Sequence, residues 1–494
     1  MIGFTRQNTL SVIIIGTGFG GLGMAIQLKK AGFSNFLLLE KANAVGGTWR
    51  DNTYPGAACD VQSHLYSFSF EPKHDWSRKF GPQPEILEYM EHCVCKYDLA
   101  GHIRFNSEVV AADFADSDNE WAVTLADSST LRTRVLITAT GQLNQPAWPK
   151  LKGLEHFGGK LFHSARWDHS YSLTGKQVAV IGTGASAIQF VPEISKQVQS
   201  LSLFQRSAAW VLPKPDRSFR KWEQTLFKAV PLVDRAYRSL IYWENESRAL
   251  AFTRFYRVLN LYARKARKEA TKQISDPDKL KHIIPDYQIG CKRILISNDW
   301  YSAINQSHVK LVTNAIDHID EQGIVTTDGK HHPVDAIICG TGFQASKFLS
   351  PMQIKGRNGQ LLNDAWENGA AAFKGINVNG FPNLFILYGP NTNLGHNSIV
   401  FMLESQFRYV LEGIKVLNGR PDSAMDVHHE QQERFVASVQ SGLEGSVWNS
   451  GCTSWYLDAD GKNTVNWPGF TFSYRQATRR LDPENYQFIY PEKN

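Results

Sequence analysis

The chain is poor in cysteine, and its six cysteines, at positions 59, 93, 95, 291, 339 and 452 of 494, keep no disulfide-framework spacing. Only Cys93 and Cys95 lie close together, with no second pair or histidine cluster to complete a zinc site. No metal is therefore expected, and the thiols read as reduced, as in a cytoplasmic protein. Long apolar runs are also missing. The opening MIGFTRQNTLSVIIIGTG offers one short run, Val12 to Ile15, before a glycine, so it reads as neither signal peptide nor membrane span. Nor is there a long basic stripe. The formal charge of +6 is dispersed except around residues 248–272, which argues against a nucleic-acid partner and for anionic small molecules.

What remains is an ordinary globular composition, 42% hydrophobic and 20% charged, in a chain too long for one core. Two glycine loops organise it. In the first, the β-branched run through Ile15 leads into Gly16, Gly18 and Gly21 and then a helical pattern. This is G-x-G-x-x-G between a buried strand and a helix, where backbone N–H groups and the helix N-terminus can cradle a pyrophosphate. A second strand ends in Glu40, 19 residues after Gly21, where a carboxylate accepts ribose hydroxyls.

The pattern recurs at Gly182, Gly184 and Ala187, through Thr183, Ala185 and Ser186. Here the next strand ends in Arg206 and Ser207, and Arg206 again stands 19 residues after the third loop position. A carboxylate would repel a 2′-phosphate, whereas a guanidinium grips it. One site thus selects free ribose hydroxyls and the other selects NADP(H). Two dinucleotides in one chain imply electron transfer, with nicotinamide as hydride donor and FAD as acceptor.

The fold expected is α/β, with two Rossmann-like dinucleotide-binding domains and a helical insertion. The segments are 1–145 (FAD, first part), 146–212 (NADP, first part), 213–288 (helical insertion), 289–344 (NADP, second part) and 345–494 (FAD, second part). Alternation between 104 and 134 predicts a three-stranded β-meander. In the insertion, Phe255, Val258, Leu259 and Tyr262 fall at helical spacing among Arg254, Arg257, Arg264, Lys265, Arg267 and Lys268. This reads as a helical cap over a substrate cavity, with contact to a membrane surface as the alternative. The segments near 391–398 and 435–448 are expected to line the same cavity.

Between the loops lies Phe157-x-Gly159-x-x-x-His163-x-x-x-Trp167-Asp168. It resembles the fingerprint F-x-G-x-x-x-H-x-x-x-W-P/D of type I Baeyer–Villiger monooxygenases. The resemblance covers nearly the whole chain: Gly46-Gly-Thr-Trp49, Tyr54-Pro-Gly-Ala-Ala-Cys-Asp60, Cys291-Lys-Arg293 and Cys452-Thr-Ser-Trp455 are similar to family segments. Ala58 departs from it, where many relatives carry arginine. The resemblance implies a monomeric or weakly oligomeric enzyme that uses FAD, NADPH and O2. A C4a-peroxyflavin attacks a small-molecule ketone to give an ester or lactone, and sulfoxidation is a further activity.

On the FAD side the contacts expected are Gly16, Gly18, Phe19, Gly21, Glu40, Lys41, Gly47, Thr48, Trp49, Asp60, Tyr66 and Val109. On the NADPH side they are residues 182–187, Gln189, Arg206, Ser207 and Lys292, with Trp455 closing over the nicotinamide. Arg293 is the expected catalytic cation, always charged and rich in donors, and Asp60 orients it. His163 is expected at a hinge, anchored by Phe157 and Trp167. An N- or S-oxygenating flavin monooxygenase shares both nucleotide sites but not the Trp-Asp ending or the Asp60 and Lys292-Arg293 set. A pyridine nucleotide–disulfide reductase would need a redox cysteine pair near the flavin, and Cys59 stands alone there.

Overall fold

The computed structural model describes residues 11–452, 454–458 and 460–491, so the first ten residues of the N-terminal segment read above lie outside the described residues. Strand Val12–Ile15 is buried along its whole length. It pairs in parallel with Phe36–Leu39 on one side and Val135–Thr138 on the other. Leu384–Ile386, from late in the chain, and Ile103–Arg104 complete a five-stranded sheet. Alternate residues serve opposite faces: Val12 and Ile14 enter one hydrophobic core, Ile13 and Ile15 another. Burial on both faces is why these strands read as unbroken apolar runs.

A second parallel sheet is built the same way, in the order Val309–Val312, Ser200–Phe204, Gln177–Ile181, Ala336–Cys339, Lys160–His163. Both glycine loops obey one steric rule. A Cβ on Gly16 would stand 2.7 Å from the Ala139 carbonyl oxygen, and one on Gly182 would stand 2.5 Å from that of Gly340. At φ of 103° and 110° both loop openings also need the freedom of glycine.

The meander forms from Val109–Ala115, Glu120–Leu125 and Thr130–Thr133. A fourth strand, Gln353–Lys355, adds in parallel from more than 200 residues away and leaves no local trace in the sequence. Helices Lys221–Ala229, Pro231–Ser247, Ala249–Thr253, Leu259–Gln273 and Pro277–Ile283 fill the span between the paired short strands Val211–Leu212 and Leu295–Ile296. Glu246 fastens them to the body: its buried carboxylate accepts from Asn397 Nδ2 at 2.6 Å and from the Thr471 hydroxyl at 2.7 Å.

The helical reading at 255–262 needs correction. The helix starts only at Leu259, and its buried face is Leu259, Ala263, Ala266 and Ala270. Phe255, Val258 and Tyr262 point to solvent. Small alanines let this helix lie close to the body, so the bulky period marks the outer side.

The fingerprint tract forms the edge strand of the second sheet, with His163 level with Cys339. A Cβ on Gly159 would meet the Phe157 ring and the Asp335 carbonyl oxygen, both at 2.5 Å, which explains phenylalanine two residues before glycine. Trp167 packs on Phe162 and Phe190. Asp168 receives Lys160 at 2.5 Å and the Ser170 N–H at 2.9 Å. His163 is fully buried, and its Nδ1 accepts the Ala165 N–H at 3.1 Å. Burial, then the charge of Arg166, push its pKa down to about 4, against the Gly342 backbone.

The expectation of six reduced thiols is overturned: Cys291 and Cys452 form a disulfide across 161 residues, and Cys59, Cys93, Cys95 and Cys339 are free. No local spacing announces a pair joined only by the fold.

Two expectations follow from these elements. Thiol titration of the denatured, unreduced protein should count four thiols, rising to six after reduction, with a lowered unfolding midpoint since losing a native disulfide costs about 2–5 kcal/mol; six thiols without reduction would refute the pairing. His163 stays neutral when folded but protonates near pH 6.5 when unfolded, so acidification from pH 6.5 to 4 favours the unfolded chain. Denaturant unfolding of His163→Gln should therefore depend less on pH in that window, by up to about 1.4 kcal/mol per pH unit; parallel curves would count against a neutral buried imidazole.

Candidate active site

Both glycine loops open on one cavity of about 1220 Å³. Every expected cofactor-side residue lines it except Gly21 and Ala187. Those two serve helix packing. A Cβ on Gly21 would fall 1.9 Å from the Gly16 carbonyl oxygen, and Ala187 is wholly buried in the core of the second sheet. Phe19 sets its ring edge-on to Tyr66 at 5.2 Å, and the Trp49 indole N–H donates to the Tyr66 hydroxyl at 3.2 Å. These three aromatics form a fixed wall beside the first loop.

Glu40 is buried at the end of its strand and holds four partners. The Thr17 hydroxyl donates at 2.6 Å, the Thr17 N–H at 3.1 Å and the Ala42 N–H at 3.0 Å, and Arg50 pairs at 2.9 Å. The second loop ends differently. Lys292 donates to the Ser207 hydroxyl at 3.2 Å, and burial followed by the charge of Arg206 lowers the lysine pKa. Two cations and a hydroxyl thus converge, and neither cation has a carboxylate within ion-pair distance among the described residues. That donor set fits a 2′-phosphate.

Between the loops, Arg293 meets Asp60, 233 residues away in sequence. Arg293 Nε donates to Asp60 Oδ2 at 3.0 Å and Nη2 donates to the same oxygen, so Nη1 takes no part in the pair. Both side chains remain about one-third exposed on the cavity wall, at 35% and 30%. Burial alone would raise the Asp60 carboxyl, but Arg293 and, more weakly, Lys214 reverse that, and it lies below the usual range. The Arg293 pKa is raised, first by the charge of Asp60. A persistent cation is therefore fixed in the cavity at neutral pH.

One residue near the site, Lys214, went unread in the sequence. Lys214 sets a cation near Cys59 and Asp60, on the side where Ala58 lacks one, although burial lowers its own pKa. Tyr388 lines the cavity at a φ of 61° and donates its hydroxyl to Asn393 Oδ1 at 2.6 Å. Lys214 lies in no motif with fixed spacing, whereas Tyr388 and Asn393 fall in Leu387–Ser398, a segment that resembles a flavin-domain segment of the family. Gln189 spans the two nucleotide units, accepting from the Tyr54 hydroxyl at 3.0 Å and donating to the Ala58 carbonyl at 3.0 Å. Trp455 lines the cavity beside the disulfide-bonded Cys452, while Thr453 lies outside the described residues.

Other expectations are corrected. Of residues 213–288 only Tyr287 lines the cavity among the described residues, so the helices add almost none of its wall, and Glu246 instead backs the lining residue Asn397. Segment 435–448 contributes nothing, while Asn393, Leu394 and Asn397 do. The five fingerprint residues, expected at a hinge between the units and not in the cavity, stand outside it. Trp167 and Asp168 border a separate cleft with Arg50, Asp51 and Thr53. The tract touches the first unit there, through Arg166 with Asp51 at 3.6 Å and His169 with Thr53 at 2.8 Å.

Cys59 is buried and free, and burial pushes its thiol up, so the site holds no redox cysteine pair of the disulfide-reductase kind. The family described as pyridine nucleotide-disulphide oxidoreductase matches residues 13–231, a likeness confined to less than half the chain. A Baeyer–Villiger monooxygenase of Pseudomonas aeruginosa is 47% identical over 96% of this chain and 90% of its own. One of Streptomyces coelicolor is 43% identical over 97% and 93%. Among solved structures, an oxidized steroid monooxygenase bound to NADP superposes with a TM-score of 0.87 at 29% identity, over 97% of this chain and 99% of that one. No helix among the described residues is long and apolar enough to cross a membrane. With likeness of this extent over nearly the full length of both curated relatives, the chain belongs to the Baeyer–Villiger monooxygenase family.

Proposed function

We propose that this protein is an FAD-dependent, NADPH-consuming Baeyer–Villiger monooxygenase that inserts one oxygen atom of O2 beside a ketone carbonyl to give an ester or lactone. The observation that carries the proposal is the Arg293–Asp60 pair on the wall of one cavity shared by two oppositely charged nucleotide sites. Bound FAD supplies the two-electron chemistry that activates oxygen, and NADPH supplies the hydride. Glu40 and the first loop would hold the adenosine of FAD. Arg206, Ser207 and Lys292 would hold the 2′-phosphate of NADPH.

Asp60 keeps Arg293 charged and aimed, and Arg293 offers its donors to negative charge that develops on the former carbonyl oxygen. Trp49, Tyr66 and Trp455 narrow the cavity and exclude water, which strengthens those bonds. The fingerprint tract serves as the joint between the units, with His163 and Trp167 fixing its conformation. The chain works in the cytoplasm as a monomer or weak homo-oligomer, where NADPH is available.

The decisive experiment incubates the flavin-loaded enzyme with NADPH and linear, cyclic, aromatic and steroid ketones, and reads product masses. Esters or lactones are expected from the native protein. Arg293→Ala should still oxidise NADPH while ester formation falls about 10²–10³-fold. Formation of N- or S-oxides alone across a mixed panel would favour the other oxygenase reading. Arg206→Ala should raise the KM for NADPH about 10- to 150-fold, from a lost charged hydrogen bond of about 1.5–3 kcal/mol. Lys292→Ala should do so less, and NADH use should hardly change. Equal damage to both nucleotides would show that the phosphate lies elsewhere.

A further inference from the structure

Residues 213–288 carry 17 Lys and Arg against 9 Asp and Glu, a net +8 in a chain whose total is +6. The excess concentrates at 248–272, where eight cations face one acid, Glu269. Exposed apolar side chains gather in the same region. Of the 17 large hydrophobic side chains exposed among the described residues, 11 lie between 222 and 262.

The two features overlap in the stretch 254–272. Helix Leu259–Gln273 buries Leu259, Ala263, Ala266 and Ala270, which leaves Leu261 and Tyr262 outward, with Lys265, Lys268 and Lys272 following Leu261 at helical spacing. The turn before it exposes Phe255 (59%) and Val258, flanked by the exposed Arg254 and Arg257. Earlier in the insertion, in helix Pro231–Ser247, Leu240 is 65% and Trp243 57% exposed, while Asp234, Ile241, Asn245 and Glu246 turn inward. Arg248 pairs with Glu244, but Arg254, Arg257, Lys265, Lys268 and Lys272 have no ion-pair partner among the described residues. These apolar side chains do not serve the catalytic cavity, because no residue from 213 to 286 lines it.

Clustered exposed leucine, phenylalanine and tyrosine mark a docking surface. The cations decide what docks. A second copy meeting this face about a two-fold axis would oppose the same unpaired charges. A nucleic-acid backbone would satisfy the cations but leave Phe255 and Leu261 without an apolar partner. An anionic bilayer provides both, phosphates for lysine and arginine and an acyl boundary for the apolar side chains, and tyrosine favours that boundary.

We propose that the exposed face of residues 254–272 docks this enzyme reversibly on anionic lipid bilayers, with Phe255, Val258, Leu261 and Tyr262 entering the interface and Arg254, Arg257, Lys265 and Lys268 meeting the headgroups. The contact lies outside the cavity, so the docked enzyme keeps its nucleotide sites free.

Vesicle sedimentation of the full-length holoenzyme tests this. Binding is expected to vesicles of equal parts phosphatidylcholine and phosphatidylglycerol, not to phosphatidylcholine alone, and is expected to weaken as salt rises. Changing Arg254, Arg257, Lys265 and Lys268 to glutamine should lower the partition coefficient about fivefold per charge. Phe255→Ser with Leu261→Ser should weaken binding at every salt concentration. Both variants should keep the native rate of NADPH oxidation, which shows that they are folded. Absence of vesicle binding, equal binding to both compositions, or unchanged binding of the two variants would each overturn the proposal. A concentration-dependent dimer abolished by Phe255→Ser, or tighter binding to duplex DNA than to the anionic vesicles, would overturn it in favour of those partners.

Discussion

A single ion pair holds the two halves of this molecule to one purpose. Asp60 follows the first nucleotide loop and Arg293 arrives more than 200 residues later, beside the second sheet, yet their side chains meet on a common wall. Its contribution to folding stability is modest, because both partners are partly solvated and an exposed pair gives at most about 1 kcal/mol. Its value is electrostatic. Burial works against the Asp60 charge, Arg293 outweighs burial, and the carboxylate in turn holds the guanidinium protonated and oriented. The arrangement fixes positive charge in the cavity before any substrate arrives, so little reorganisation is needed when negative charge develops.

Around that pair, the two units meet through polar contacts and through the Tyr54 ring set against Phe190. Gln189 binds Tyr54 and the Ala58 backbone, Arg166 reaches Asp51, and His169 reaches Thr53. Such contacts can exchange with water at small cost, whereas the apolar cores beneath each sheet cannot. The fingerprint belongs to this boundary. Its phenylalanine, glycine and tryptophan are steric parts of an edge strand, and its histidine is neutral and enclosed. The disulfide adds a covalent limit, since it ties the segment bearing Lys292 and Arg293 to the loop bearing Trp455.

What the sequence revealed follows physical range. The glycine loops, Glu40 and Arg206 are legible because strand, turn and helix impose fixed spacings within about 25 residues. Asp60 and Arg293 become legible only through a family resemblance, because no local rule joins them. Lys214 and the Cys291–Cys452 bridge are set by tertiary contact alone and leave no periodic signal. The helices show a different failure. A period of 3.6 identifies an apolar face but not its direction, and in Leu259–Gln273 the alanine face packed inward while the bulky face stayed outside.

The two nucleotide sites also differ in how their charge is balanced. Glu40 pairs with Arg50, which also serves Asp51, and accepts from Thr17 and Ala42, so its charge is already partnered inside the protein. Arg206 and Lys292 repel one another, and burial adds to the cost on the lysine. A doubly charged phosphate relieves both terms at once, and its departure restores them. The acid of the first site is thus held by partners within the protein, while the affinity of the second for a phosphate would depend on a screened charge that salt weakens. That asymmetry suits a flavin that stays through turnover and a nicotinamide that must be replaced, and it arises from an acid at one strand end and a base at the other.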